Sequence, residues 1–229
     1  MKTIGLLGGM SWESTAGYYR EINQLVSSSL GGLHSAKIVM YSVDFEPIEK
    51  LQQSGNWDEA AAKLGEAAQN IQSAGADFLL ICTNTMHKVA PQIQAMVSIP
   101  ILHIADATAE VLIENHIQTV GLLGTSFTMT QDFYRGRLED KYGVGVLIPP
   151  QGDRDIVHDI IYNELCRGKI NSQSKSEYLR IVQSLADRGA EAVILGCTEI
   201  GMLVAQQDTS TKLLDTTLIH AQKAVAYAL

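Results

Sequence analysis

The sequence predicts an α/β fold of two pseudo-symmetric lobes, each a mostly parallel sheet flanked by helices, with an active site between the lobes. Three observations predict it. Short apolar runs bounded by glycine alternate with helical patterns, the signature of βαβ units around a buried sheet. Thr3-Ile4-Gly5-Leu6-Leu7-Gly8 recurs as Thr119-Val120-Gly121-Leu122-Leu123-Gly124. Ala74-Gly75-Ala76-Asp77-Phe78-Leu79-Leu80-Ile81 recurs, at nearly the same offset, as Arg188-Gly189-Ala190-Glu191-Ala192-Val193-Ile194-Leu195. One unit is therefore used twice. Carrying the second alignment forward pairs Cys82 with Gly196, Thr83 with Cys197 and Asn84 with Thr198.

In chain order, the predicted strands of the first half are Thr3–Leu7, Ala36–Ser42, Phe78–Cys82 and Ile99–His103. Those of the second half are Thr119–Leu123, Gly145–Ile148, Ala192–Gly196 and Lys212–Asp215. Ile22, Leu25 and Val26 share one helical face, and Gly31-Gly32 ends that helix. Leu64, Ala67, Ala68 and Ile71 form a second face before Gly75; Tyr178, Ile181, Val182 and Leu185 form its counterpart before Gly189. Thr130 followed by Phe133 predicts a helix start after Gly124. The expected organisation is a lobe over residues 1–110, a second over 111–215, and a terminal helix over 216–229 that packs back on the first.

A chain of 229 residues can bury a full core. Its net charge of −8 and lack of a Lys/Arg cluster argue against a nucleic-acid partner. No run approaches the length of a membrane helix, and the Ile4–Gly9 stretch is too short for a secretion signal. Three cysteines without CxxC spacing fit a reducing cytoplasm better than a disulfide framework.

Gly5-x-x-Gly8-Gly9 is neither a dinucleotide fingerprint nor a Walker loop. It reads either as a tight strand-to-helix turn or as a loop whose N–H groups face an anion. The matching Gly124-Thr125-Ser126 turn favours the second reading and makes Thr125 a candidate substrate contact. Cys82-Thr83-Asn84-Thr85 and Gly196-Cys197-Thr198-Glu199 follow apolar runs, at the strand ends where ligands of parallel sheets collect. A thiol there is expected to be lowered towards thiolate by the N–H groups and dipole of the next helix. Cys197 is thus a candidate base, the alternative being a buried packing cysteine. Cys82 faces away from Thr83 and reads as core, and Cys166 as packing. His87 either lines the cleft or packs under a helix. Scattered histidines and aspartates show no metal-ligand spacing, and no motif for a nucleotide, flavin or pyridoxal cofactor is present.

Taken together, Gly5-Leu6-Leu7-Gly8-Gly9-Met10-Ser11, Val43-Asp44-Phe45, Asn84-Thr85-x-His87, Tyr134-Arg135 and Gly196-Cys197-Thr198-Glu199-Ile200 resemble the aspartate/glutamate racemase family over essentially the whole chain. Within the family the chain looks most like the enterobacterial broad-specificity branch. The resemblance implies a cofactor-independent homodimeric racemase of amino acids. In that chemistry one thiolate removes the α-proton and a second thiol donates to the opposite face. The family's first cysteine falls on Thr83 and its second on Cys197. Its carboxylate-binding loops fall on Met10, Asn84, Thr85 and Thr198, with Gln52 at the mouth and a basic residue at Lys169. The loop from Glu46 to Gln52 lacks the arginine that aspartate racemases carry, which argues against strict aspartate specificity.

A threonine hydroxyl has no accessible alkoxide unaided, so Thr83 is expected to be a poor base and catalysis to be directionally unequal. The competing readings are a single-thiol decarboxylase or cis–trans isomerase of a dicarboxylate, and a carboxylate-binding protein that has lost turnover.

Overall fold

The structure, a computed structural model, describes residues 1–229. The chain divides into two compact units, Met1–Ile104 with His220–Leu229, and Ala105–Ile219.

In the first unit the order is β1 (Ile4–Gly8), α1 (Trp12–Leu30), β2 (Ile38–Ser42), α2 (Phe45–Ser54), α3 (Trp57–Ser73), β3 (Phe78–Ile81) and α4 (Ala90–Met96). The strands form a parallel sheet in the order β2-β1-β3, with Leu7 opposite Ile81 and Gly8 opposite Ser42. Successive strand residues face opposite sides. Leu7, Leu79 and Ile81 accordingly pack against Leu64, Ala68 and Ile71 of α3 and Ile93 of α4. Ile4, Leu6, Phe78, Leu80 and Cys82 pack on the other side, against Tyr18, Ile22 and Val26 of α1. Ala221, Ala224 and Val225 of the last helix complete that layer.

The second unit contains α5 (Ile104–Glu114), β4 (Thr119–Gly124), α6 (Ser126–Thr130), β5 (Gly145–Leu147), α7 (Gln151–Asn163), α8 (Ser172–Asp187), β6 (Ala192–Gly196), β7 (Lys212–Asp215) and the start of α9 (Thr216–Ala228). Its parallel sheet has the order β5-β4-β6-β7. β4, β5 and β6 hold the places that β1, β2 and β3 hold in the first unit. The shared glycines have a packing reason. A Cβ on Gly5 would come 2.6 Å from Ile71 of α3, and one on Gly121 would come 2.9 Å from Leu185 of α8. Leu123, Val193, Leu195 and Cys197 bury against Ile160 and Ile161 of α7 and Tyr178, Ile181, Val182 and Leu185 of α8.

Two expectations are corrected. The strand expected at Ile99–His103 is reduced to one parallel bridge between Leu79 and Ile101. Pro100 has no N–H to give a ladder, and side-chain amides take over the neighbouring backbone groups. Gln72 Oε1 accepts from the N–H groups of Ser98 and Ile99, and Gln94 bonds the Ile101 N–H and the Val97 and Ile99 carbonyls. The helix expected to start at Thr130 is displaced: α6 ends at Thr130, and a π-helical segment follows only over Arg137–Lys141. Thr125 is the N-cap of α6, with Oγ1 accepting from the Thr128 N–H at 3.3 Å. No helix is long and apolar enough to cross a membrane.

Candidate active site

Each unit gathers polar side chains at the carboxyl ends of its strands, where the backbone stops pairing and turns into helix. In the first unit β1 ends at Gly8, and Gly9 has φ +94°, a conformation that favours glycine. A Cβ there would also run into the backbone of Val43. The turn is fastened by Thr15, whose Oγ1 accepts from the Gly9 N–H at 2.8 Å and donates to the Ser11 carbonyl at 2.9 Å. Ser11 caps α1. The Met10 side chain is buried in the core beside Leu7 and Ile48.

The neighbouring end of β3 is tied to β1 by the Cys82 N–H donating to the Leu7 carbonyl at 2.9 Å, and to α1 by Ser14 Oγ donating to the Cys82 carbonyl at 3.3 Å. Cys82 lies wholly in the core, and burial pushes its thiol far above the ordinary range. Thr83 follows, half-buried, and Asn84 and Thr85 are buried at the start of a short 3₁₀ turn. Gln52 of α2 is buried and donates to the Met86 sulfur at 2.8 Å. His87 is buried too. Its Nδ1–H donates to the Thr83 carbonyl at 2.8 Å, and its Nε2 accepts from the Ile104 N–H at 3.2 Å. Those two bonds fix a neutral tautomer, and burial, then the nearby His103 and His220, lowers its pKa well below the usual imidazole value. His87 therefore holds the backbone of Thr83 in place.

In the second unit Gly124 and Gly196 are register partners at the ends of β4 and β6. Thr125 follows Gly124 and Cys197 follows Gly196, and both are buried, as is Thr198. The start of α9 props this end: Thr216 Oγ1 donates to the Leu195 carbonyl at 2.8 Å and Thr217 Oγ1 to the Thr198 carbonyl at 3.4 Å. Cys197 is 7% exposed, and its Sγ donates to Glu199 Oε2 at 2.9 Å. Thr198 Oγ1 donates to the same oxygen at 2.9 Å. The thiol is not lowered as the sequence led us to expect. Burial raises it well above the ordinary cysteine value, and the Glu199 carboxylate adds to the effect; only a backbone hydrogen bond opposes them. The resting group is a thiol. Lys169 is exposed in the turn after Gly168.

Sequence reasoning quoted Glu199 within its motif and gave it no role. Its signal was position: a carboxylate two residues past a thiol, on a tight turn closed by the Ile200 N–H bonding the Cys197 carbonyl at 3.1 Å. No three His, Cys, Asp or Glu side chains come together as a metal site.

The fold is that of an α/β protein whose second unit holds a buried, carboxylate-bonded thiol. A family profile described as Asp/Glu/hydantoin racemase matches residues 7–224. The chain is 54% identical to a crystal structure of an Asp/Glu racemase candidate from Yersinia pestis, which covers 100% of this chain and 99% of that one with a TM-score of 0.92. It is 33% identical to an aspartate racemase homologue from Pyrococcus horikoshii OT3, with coverage of 100% and 99% and a TM-score of 0.86. A broad-specificity amino-acid racemase of Bacillus subtilis (strain 168) is 21% identical over 97% of this chain and 96% of that protein. The chain belongs to the Asp/Glu/hydantoin racemase family and is an isomerase of the racemase type.

Proposed function

We propose that the enzyme racemises acidic or small polar amino acids by α-proton exchange, without pyridoxal phosphate or a metal, with Cys197 as its principal acid–base group. The observation that carries this reading is Cys197 itself: a nearly buried thiol at a strand end, held on a carboxylate, with Thr198 next in the chain and Thr125 just past the end of the neighbouring strand. Those hydroxyls, with Asn84, Thr85 and the Met10 turn, are the groups proposed to bind the substrate carboxylate. Thr83 stands at the position related to Cys197 by the internal repeat. Its hydroxyl can donate a proton to a carbanion and is a poor base. One enantiomer is then deprotonated by the thiol pathway, and the other only slowly. The relatives' names support amino acids as the substrate class, and the Glu46–Gln52 segment, expected as a loop and found within α2, has no arginine, which favours a range wider than aspartate.

The test follows α-proton loss by NMR in deuterated water for L- and D-amino acids, with no cofactor added. Deuterium should enter quickly from one enantiomer and slowly from the other, survive dialysis against EDTA and hydroxylamine, and fall about 10²-fold or more in a folded Cys197→Ser protein. Thr83→Cys should bring the two rates closer together. Absence of exchange, release of CO₂, or full activity in Cys197→Ser would overturn the proposal.

A further inference from the structure

We infer that Glu199 is the proton partner of Cys197, a positioning residue that takes the thiol proton when a substrate is to be deprotonated and returns it afterwards. The inference rests on the racemase reading above and deepens it. The geometry is specific. Glu199 is 2% exposed, and its two oxygens are divided between two thiols: Oε2 accepts from Cys197 at 2.9 Å, while Oε1 faces Cys166 Sγ at 3.8 Å. Thr198 Oγ1 adds a second donor to Oε2 at 2.9 Å.

Other titratable groups lie around the pair, among them the partly buried Asp215 carboxylate, which packs against Gly201. Tyr178 of α8 is buried, with its hydroxyl donating to the Val157 carbonyl at 3.2 Å. Glu164 accepts from Ser174 Oγ at 2.7 Å, and Arg167 is exposed beside Cys166.

A thiol in this setting cannot act as a base until its proton has somewhere to go. Oε2 is the acceptor already within hydrogen-bond reach. Moving the proton across that 2.9 Å bond breaks S–H and forms O–H. The total buried charge stays at minus one, so the step adds no second buried ion. The thiolate then takes the substrate α-proton. The C–H bond breaks, its electron pair remains on the α-carbon delocalised into the substrate carboxylate, and S–H forms again. Running backwards, Cys197 returns a proton to the carbanion and Glu199 returns its own to sulfur. The pair holds one proton at rest and two after abstraction, so it serves as base and as acid on one face of the substrate. Return of the proton on this face gives exchange without inversion; inversion takes a proton from the opposite face, the part proposed for the Thr83 hydroxyl, which then regains its proton from solvent as the Cys197–Glu199 pair loses its extra one.

The experiment compares two rates in wild type and Glu199→Gln. One is alkylation of Cys197 by iodoacetamide, resolved from Cys82 and Cys166 by peptide mass spectrometry; the other is α-proton exchange in deuterated water. Removing the neighbouring negative charge should speed alkylation near neutral pH, about tenfold for each unit by which that charge raised the thiol. Exchange should fall about 10²-fold, because the proton acceptor is gone. Glu199→Asp should recover part of the exchange. Both rates rising together would overturn the inference, since Glu199 would then only suppress the thiolate. Both falling together, with the alkylation midpoint unmoved, would reduce Glu199 to structural support.

Should Glu199→Gln fail to fold, wild type alone decides. Its exchange near neutral pH should exceed what the thiolate fraction from alkylation allows, and exchange that tracks that fraction overturns the inference. A wild-type protein that exchanges no amino acid sinks the racemase reading. The alkylation arm then still decides whether Glu199 controls the Cys197 proton, and an unmoved midpoint says it does not.

Discussion

Acidification should weaken the first unit through its buried imidazoles, and His220 gives the size of the effect. Its Nδ1 accepts from the Tyr18 hydroxyl at 2.9 Å, and its Nε2–H donates to the Leu102 carbonyl at 2.9 Å. Both nitrogens are thus satisfied in the neutral ring, in a wholly buried position. Burial lowers its pKa from 6.5 to about 4. The unfolded chain therefore takes up a proton first as the pH drops. The stability held by the neutral ring is complete above the unfolded value of 6.5 and is lost progressively as the pH falls towards 4. The whole difference corresponds to about 3 kcal/mol, and about 2 kcal/mol of it is gone by about pH 5. His87 shifts in the same direction and adds to the loss. Urea unfolding can be followed by the fluorescence of Trp12 and Trp57, both within Met1–Ile104. His220→Gln can keep both hydrogen bonds yet does not titrate. It should be less stable than wild type near pH 7, with a drop between about pH 7 and about pH 5 that is smaller by about 2 kcal/mol. Equal drops in the two proteins would refute the assignment.

Gly9→Ala combines the Gly9 backbone conformation with overlap against Val43. It should cost about 3 kcal/mol or more, whereas Gly31→Ala, at φ +74° in open space, should cost only about 1 kcal/mol; urea midpoints that move equally would contradict the argument from overlap. We propose that the homodimer which the family resemblance implies pairs through β2. That edge strand carries no charge or proline and leaves Met40 49% and Tyr41 42% exposed. Tyr41→Lys should then lower the mass seen by light scattering, and an unchanged dimer would place the interface elsewhere.

Much of the fold was legible because the repeat carries its own packing logic. Gly5 and Gly121 recur where a helix lies too close to the sheet for a side chain, and the apolar faces of α3 and α8 recur with them. What periodicity could not show was the competition for backbone groups at Ile99–His103. An apolar run there looks like a strand, but Gln72 and Gln94, distant in sequence, occupy its N–H and carbonyl groups. Likewise a cap is decided by which hydroxyl reaches a free N–H. Thr125 does so from the end of β4, so Thr130 closes α6 where the pattern suggested it would open it.

The candidate site drew on residue type, which the sequence shows, and on protonation state, which it does not. Strand-end placement singled out Cys197, and the repeat set Thr83 against it, because both follow from spacing along the chain. The thiol's condition depends on what surrounds it. A helix N-terminus would lower its pKa, but a buried site beside a carboxylate raises it, and here burial and Glu199 prevail. That outcome changes which residue the chemistry needs. A preformed thiolate would need only a substrate, while a resting thiol needs a proton acceptor within hydrogen-bond reach. Glu199 Oε2 lies 2.9 Å from the sulfur because the turn closed at Ile200 brings a side chain two positions on back beside it. On the mechanism proposed above, a Thr83→Cys protein should therefore still lose exchange when Glu199 is replaced by Gln.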